Sequence, residues 1–79
     1  MKIKILFFAS CREAAGKSQA EIEVKPGETL AGLLEKIKLD FPGIPFDHIM
    51  VAVNQKFAKS GYVLRAGDEI ALIPPVSGG

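Results

Sequence analysis

Cysteine occurs once in this chain, as Cys11, histidine once, as His48, and tryptophan not at all. A single thiol excludes an intrachain disulfide and a multi-cysteine metal site, and it fits a reducing cytosol. Cys11 therefore reads as a small, partly buried hydrophobe. His48 has no second cluster of ligand-type residues near it, so it reads as a surface or hydrogen-bonded histidine, and no metal site is expected. Charge of either sign is not in excess: ten basic against nine acidic side chains leave a net charge of +1. Without a basic block, nucleic-acid binding has no electrostatic footing. No apolar run approaches the roughly 20 residues needed to cross a bilayer, and no basic segment followed by an apolar stretch opens the chain. The expectation is a soluble, cytoplasmic protein with no nucleic-acid or membrane partner.

What is present fits one small domain of 79 residues, 48% hydrophobic and 24% charged, which is a globular composition. A core of this size buries only about 60% of the unfolded chain's surface, so packing has to be efficient. Residues 1–9 alternate as a strand, with Ile3, Ile5 and Phe7 on one face and Lys2, Lys4, Leu6 and Phe8 on the other. The second face turns from charged to apolar halfway along, which is unusual for a surface meant only for water. Residues 10–17 read as a loop closed at Gly16, and 19–24 as a second strand with Ala20, Ile22 and Val24 inward, joined to the first in a hairpin.

Lys25, Pro26 and Gly27 form a turn, and Thr29 then serves as N-cap for a helix carrying Leu30, Leu33, Leu34, Ile37 and Phe41 along one stripe. Burial of each large side chain contributes roughly 1.5 to 3 kcal/mol, so packing holds this helix more than propensity does. Phe41, Pro42, Gly43 and Pro45 stop it. Residues 49–53 read as a third strand ending in a turn at Asn54 and Gln55. Phe57, Tyr62 and Leu64 are expected to anchor a loop-rich stretch, Gly67 lies in another turn, and residues 69–73 form the last strand with Ile70 and Leu72 facing the core.

The order β-β-α-β-β is an α+β arrangement and matches the β-grasp, or ubiquitin-like, roll: a mixed four- to five-stranded sheet packed on one main helix. The right-handed crossover rule places the first and last strands as parallel neighbours in its centre. Leu6, Phe8, Ala71 and Ile73 then share one exposed apolar patch, suited to holding a partner. Residues 1–73 make up this domain and 74–79 an extended tail.

That tail reads Pro74, Pro75, Val76, Ser77, Gly78, Gly79. The prolines cannot donate to a sheet ladder, so they end the strand and favour an extended exit. Glycines without a Cβ can thread a narrow channel. At about 3.3 Å per extended residue the tail reaches about 20 Å, enough to enter a partner's pocket. The terminal carboxylate of Gly79 is the expected reacting group, Gly78 has the steric role, and Pro74, Pro75, Val76 and Ser77 position them.

Several segments together carry a resemblance. They are Phe7-Phe8-Ala9 with Arg12-Glu13 and Gly16, Val51-Ala52-Val53-Asn54-Gln55, Gly67-Asp68-Glu69, and the run from Ile73 to Gly79. Over nearly its whole length the chain resembles the small, sulfur-carrying subunits of molybdopterin synthase. A double-glycine end by itself is shared with ubiquitin-like modifiers; joined to the internal segments it is far more specific. Cys11 departs from the aliphatic residue common at its place.

The resemblance implies that an ATP-dependent enzyme adenylates Gly79, that a sulfur donor protein converts it to a thiocarboxylate, and that the tail delivers sulfur inside the synthase large subunit. The product would be the dithiolene of molybdopterin, made in an assembly of two small and two large subunits. No bound cofactor is implied, and catalytic residues are expected on the large subunit. An α-carboxylate with a pKa of about 3.3 to 3.7 is ionised at neutral pH and a poor electrophile, which is why activation must come first. Arg12 is read either as a partner contact or as half of a solvated pair with Glu13. Rival readings are a carrier for thiamine thiazole synthesis, a protein modifier joined to target lysines through Gly79, and an interaction module with an inert tail.

Overall fold

The computed structural model describes residues 1–75. The elements in chain order are β1 (Lys2–Phe7), α1 (Ser10–Ala15), β2 (Gln19–Glu23), α2 (Leu30–Asp40), a 3-10 turn at Phe46–His48, β3 (Met50–Val53), β4 (Lys56–Phe57) and β5 (Glu69–Ile73). They build a five-stranded mixed sheet in the order β2-β1-β5-β3-β4. β1 and β5 run parallel at its centre, with Leu6 opposite Ala71 and Phe7 opposite Leu72. The remaining pairings, β1 with β2, β3 with β5 and β3 with β4, are antiparallel. This is the β-grasp architecture that the strand order implied.

Alternation decides what each central strand buries. Ile3, Ile5 and Phe7 of β1 and Ile70 and Leu72 of β5 are at most 2% exposed and face α2, which contributes Leu30, Leu33 and Ile37. Leu34, on the edge of the helix stripe, is only half-buried. Thr29 caps α2: its side chain accepts a bond from the Gly32 N–H at 3.2 Å. Phe41 closes the helix, with its N–H donating to the Ile37 carbonyl, and packs edge-on against Phe7 with ring centroids 5.1 Å apart. Cys11 is fully buried in this core. Burial pushes its thiol pKa up.

Four expectations require correction. Residues 10–15 form the short helix α1 where a loop was expected. Six residues are too few to signal a helix by periodicity, and only Cys11 is buried in it. Gly16 does close it, in the left-handed conformation at φ 76°, donating its N–H to the Arg12 carbonyl. β1 stops at Phe7, because Ala9 takes up φ 47° and ψ −121° and turns the chain into α1. β3 begins at Met50, after a 3-10 turn that no sequence pattern indicated.

The fourth concerns Phe57, which does not anchor its segment from inside. It is 70% exposed on the two-residue strand β4, paired with Ala52. Asn54 and Gln55, at φ 51° and 71°, form the tight turn between β3 and β4. Left-handed backbone at both positions matches the right-handed twist of a hairpin.

Candidate functional site: the outer sheet face and the root of the tail

The sheet face turned away from α2 changes character along its length. At one end it is charged: Lys2 lies opposite Glu23 and Lys4 opposite Glu21 on β2. Toward the C-terminal end of β5 it becomes apolar, because Leu6 and Phe8 from the β1 side stand beside Ala71 and Ile73. The parallel pairing puts these residues where the chain leaves the sheet. The Phe8 N–H donates to the Leu72 carbonyl at 3.2 Å, which ties the last outer residue of the first strand segment to the base of the tail.

These side chains line a shallow groove of about 300 Å³, together with Ala52, Gln55, Phe57 and Glu69. Phe8 is 45% exposed and Phe57 70%. Met50, opposite Ile73 and 47% exposed, extends the apolar surface. Glu69 is the one ionisable group among the described residues of the lining. Apart from Glu69, the described lining carries no acid, base or thiol, and contiguous exposed apolar surface of this kind is typical of protein contact surfaces.

Leu6, Phe8, Ala71 and Ile73 are brought onto one face, whereas Arg12 is not among the residues lining the groove. It is exposed on α1 and contributes its carbonyl to the Gly16 cap. Ala52, Phe57, Met50 and Gln55 were missed. Alternation in Met50-Val51-Ala52-Val53 contained the signal for the first and third residues, but placing them at the groove needs the register of β3 on β5. The described chain leaves the sheet through Pro74, half-buried, and Pro75, exposed. Val76 and Ser77, expected to position the tail, and Gly78 and Gly79, with their steric and reacting roles, lie outside the described residues.

Beside the groove lies a buried polar cluster. Asp68 is 5% exposed, and among the described residues its carboxylate takes hydrogen bonds from Asn54, Tyr62 and Arg65. Asn54 Nδ2 donates to Oδ1 at 2.9 Å, while the Tyr62 hydroxyl and the Arg65 N–H each donate to Oδ2 at 2.9 Å. Burial pushes this carboxyl up, but the Arg65 N–H, the Asn54 amide, the Tyr62 hydroxyl and the Arg65 charge outweigh it, leaving the pKa below its usual value. The bond to the carboxylate in turn pushes the Tyr62 hydroxyl up, helped by burial. Asn54 also accepts from the Glu69 N–H at 3.0 Å.

A larger hollow of about 930 Å³ adjoins the segment after β4, with Lys56, Phe57, Lys59 and Tyr62 in its lining. Among the described residues that lining includes no carboxylate or thiol. No group of His, Cys, Asp and Glu side chains among the described residues is placed to hold a metal ion. No helix among them is long and apolar enough to cross a membrane.

Comparison with known proteins agrees with this geometry. Residues 5–79 match the ThiS family. Among curated relatives, the molybdopterin synthase sulfur carrier subunit of Mycobacterium tuberculosis is 36% identical over 100% of this chain and 99% of its own length. The protein of the same name from Chlamydomonas reinhardtii is 38% identical, with each chain covered completely. Among solved structures, SAMP1 from Haloferax volcanii superposes with a TM-score of 0.88 at 32% identity, over 100% of both chains. A complex of subunits 1 and 2 of molybdopterin-converting factor from Helicobacter pylori contains a chain of the same fold, with a TM-score of 0.72, 24% identity and 100% of both chains covered. The chain belongs to the ThiS family and is related along its whole length to the sulfur carrier subunits of molybdopterin synthase.

Proposed function

We propose that this protein carries sulfur on its C-terminal glycine and delivers it within molybdopterin synthase. An ATP-dependent enzyme adenylates the Gly79 carboxylate with release of pyrophosphate, and sulfide-level sulfur released by a donor protein displaces AMP to leave a thiocarboxylate. The tail then enters the large subunit, where the thiocarboxylate sulfur displaces an oxygen substituent of the cyclic pyranopterin precursor and water cleaves the resulting thioester, returning Gly79 as a carboxylate. Two such deliveries build the dithiolene. The observation that carries this reading is the placement of the apolar groove of Leu6, Phe8, Ala71 and Ile73 at the root of a tail ending in two glycines.

The chemistry asks little of the folded body. Adenylation supplies a leaving group that a carboxylate lacks, and tethering supplies a high effective concentration of the nucleophile. The partners bring the phosphate-binding groups, the base and the substrate pocket. The body's part is to be held: an apolar face covered by the large subunit aligns the tail with its channel. Pro74 and Pro75 restrict the exit, so less conformational freedom is lost on insertion. We place the protein in the cytoplasm and assign it to an assembly of two small and two large subunits.

The test is reconstitution from purified carrier, activating enzyme, sulfur donor and large subunit, with conversion of precursor to molybdopterin as the readout. Deleting Gly78 and Gly79 should abolish conversion while leaving thermal stability unchanged. Conversion by the truncated chain would exclude the proposal. The likeness to SAMP1, which belongs with small archaeal modifier proteins, favours a second reading in which Gly79 is joined to lysines of target proteins. Isopeptide-linked ladders that disappear on deletion of Gly79 would support that use, and their absence would leave the carrier alone.

A further inference from the structure

We propose that Asp68 is a positioning residue for the docking face, acting through Phe57. The inference rests on the reading of the outer groove as the surface that the large subunit grips. Phe57 is the most exposed aromatic side chain of that groove among the described residues, at 70%, so packing does not fix it. Its strand does little more. β4 is paired only through Ala52 with Phe57 and Val53 with Lys56, and a two-residue strand at a sheet edge is marginal by itself.

One carboxylate supplies the missing constraint. Its Oδ1 holds Asn54, just before β4, and its Oδ2 holds Tyr62, at the end of the returning loop. The segment 54–62, with Phe57 near its middle, is therefore clamped at both ends to Asp68, in the turn that leads into β5. Asn54 locks the upstream end further: its N–H donates to the Glu69 carbonyl at 2.8 Å, and its side-chain oxygen accepts from the Glu69 N–H. Asn54 and Gln55 hold positive φ, a conformation uncommon for residues other than glycine and better tolerated by Asn than by Gln. Ala71 and Ile73, the apolar floor beside the tail, lie on β5, which begins at the residue after Asp68. Asp68 thus fixes Phe57 relative to the exit of the tail.

An amide at position 68 is nearly isosteric but offers one acceptor where the carboxylate offers two, and its NH2 group faces a donor. The experiment measures the affinity of the full-length chain for the purified molybdopterin synthase large subunit. Wild type is compared with Asp68→Asn, Phe57→Ala, the double variant, and Ile37→Val as a core control on α2. Asp68→Asn should weaken binding by at least about fivefold, beyond any loss in the control, and should add nothing in the Phe57→Ala background. Amide exchange at Lys56 and Phe57 should accelerate relative to Leu6 and Leu72. Tyr62→Phe, which releases only the downstream end, keeps the measurement possible if Asp68→Asn folds poorly, and should show a smaller loss of the same kind.

Unchanged affinity in both Asp68→Asn and Tyr62→Phe would overturn the inference, as would losses that add to that of Phe57→Ala. So would an equal loss in Ile37→Val. A separate variant, Ala71→Arg, reports on the underlying reading. If it weakens binding strongly while Phe57→Ala leaves affinity unchanged, the inference about Asp68 fails and the docking face stands; if Ala71→Arg binds normally, the docking face itself is wrong.

Discussion

Ala71 and Leu72 are neighbours on β5 that face opposite ways, and the account predicts opposite consequences for changing them. Leu72 is fully buried against α2, so Leu72→Ala removes packing from the centre of the core. Core Leu→Ala changes cost about 2 to 5 kcal/mol. A chain of this length has a total stability of about 4 to 12 kcal/mol, so the loss is a large fraction of the whole. At about 4 to 8 °C per kcal/mol for a domain of this size, Leu72→Ala should lower Tm by at least about 8 °C. Affinity for the large subunit, measured where the variant is still folded, should stay close to wild type.

Ala71→Arg should do the reverse. The side chain points into the outer groove between Leu6 and Ala52, outside the core, so Tm should move by only a few degrees. Covering the groove would then bury an unpaired guanidinium, a cost comparable to losing an interface hot spot of about 2 to 4 kcal/mol. At about 1.4 kcal/mol per tenfold, affinity should fall by about 30-fold to several hundred-fold. Calorimetric titration against the large subunit and thermal melts of both variants suffice as assays. Wild-type affinity in Ala71→Arg would refute the assignment of faces, and a large loss of Tm in the same variant would show that the groove belongs to the core.

Asp68 makes a pH prediction. Its pKa is depressed in the folded state, so its contribution is fully present above its usual 3.8 and is lost as pH falls through the lower folded value. Asp68→Asn should therefore be less stable than wild type in denaturant melts at neutral pH, and the gap should narrow below about pH 4. A gap independent of pH would mean the carboxylate charge is not what the cluster uses. Cys11 is fully buried, with its thiol pushed up by burial. Alkylation by iodoacetamide should proceed at the rate of global unfolding, and Cys11→Ala should still accept sulfur at the terminus. Fast alkylation of the native protein, or loss of sulfur loading in the variant, would contradict the reading of Cys11 as core.

The parts of this fold legible in the sequence are those where periodicity and a local stop signal agree. Glu69–Ile73 alternates cleanly between Gly67 and Pro74, and α2 begins at a Thr cap and ends where Phe41 meets Pro42. The parallel pairing of β1 with β5 followed from chain handedness, and it placed Leu6 and Phe8 beside Ala71 and Ile73. What stayed hidden depends on distant partners. The α1 helix has six residues and a single buried side chain, and it is launched by the unusual backbone of Ala9. β4 exists because of its register with β3, so Phe57 could not be placed on the groove from local pattern. Asp68 reads as an ordinary turn residue until Asn54, 14 positions away, donates to it. The roles expected of Val76 to Gly79 lie outside the described residues and rest on the covalent character of glycine and proline alone.

The central claim is that the Gly79 carboxyl is the group that carries sulfur. The most direct measurement is the intact mass of the chain after incubation with its ATP-dependent activating enzyme and a sulfur donor. The account predicts a mass gain equal to the exchange of one oxygen for sulfur, located at the C-terminal residue and absent without ATP. A terminus that keeps both oxygens under these conditions, or sulfur found on any other residue, would contradict it.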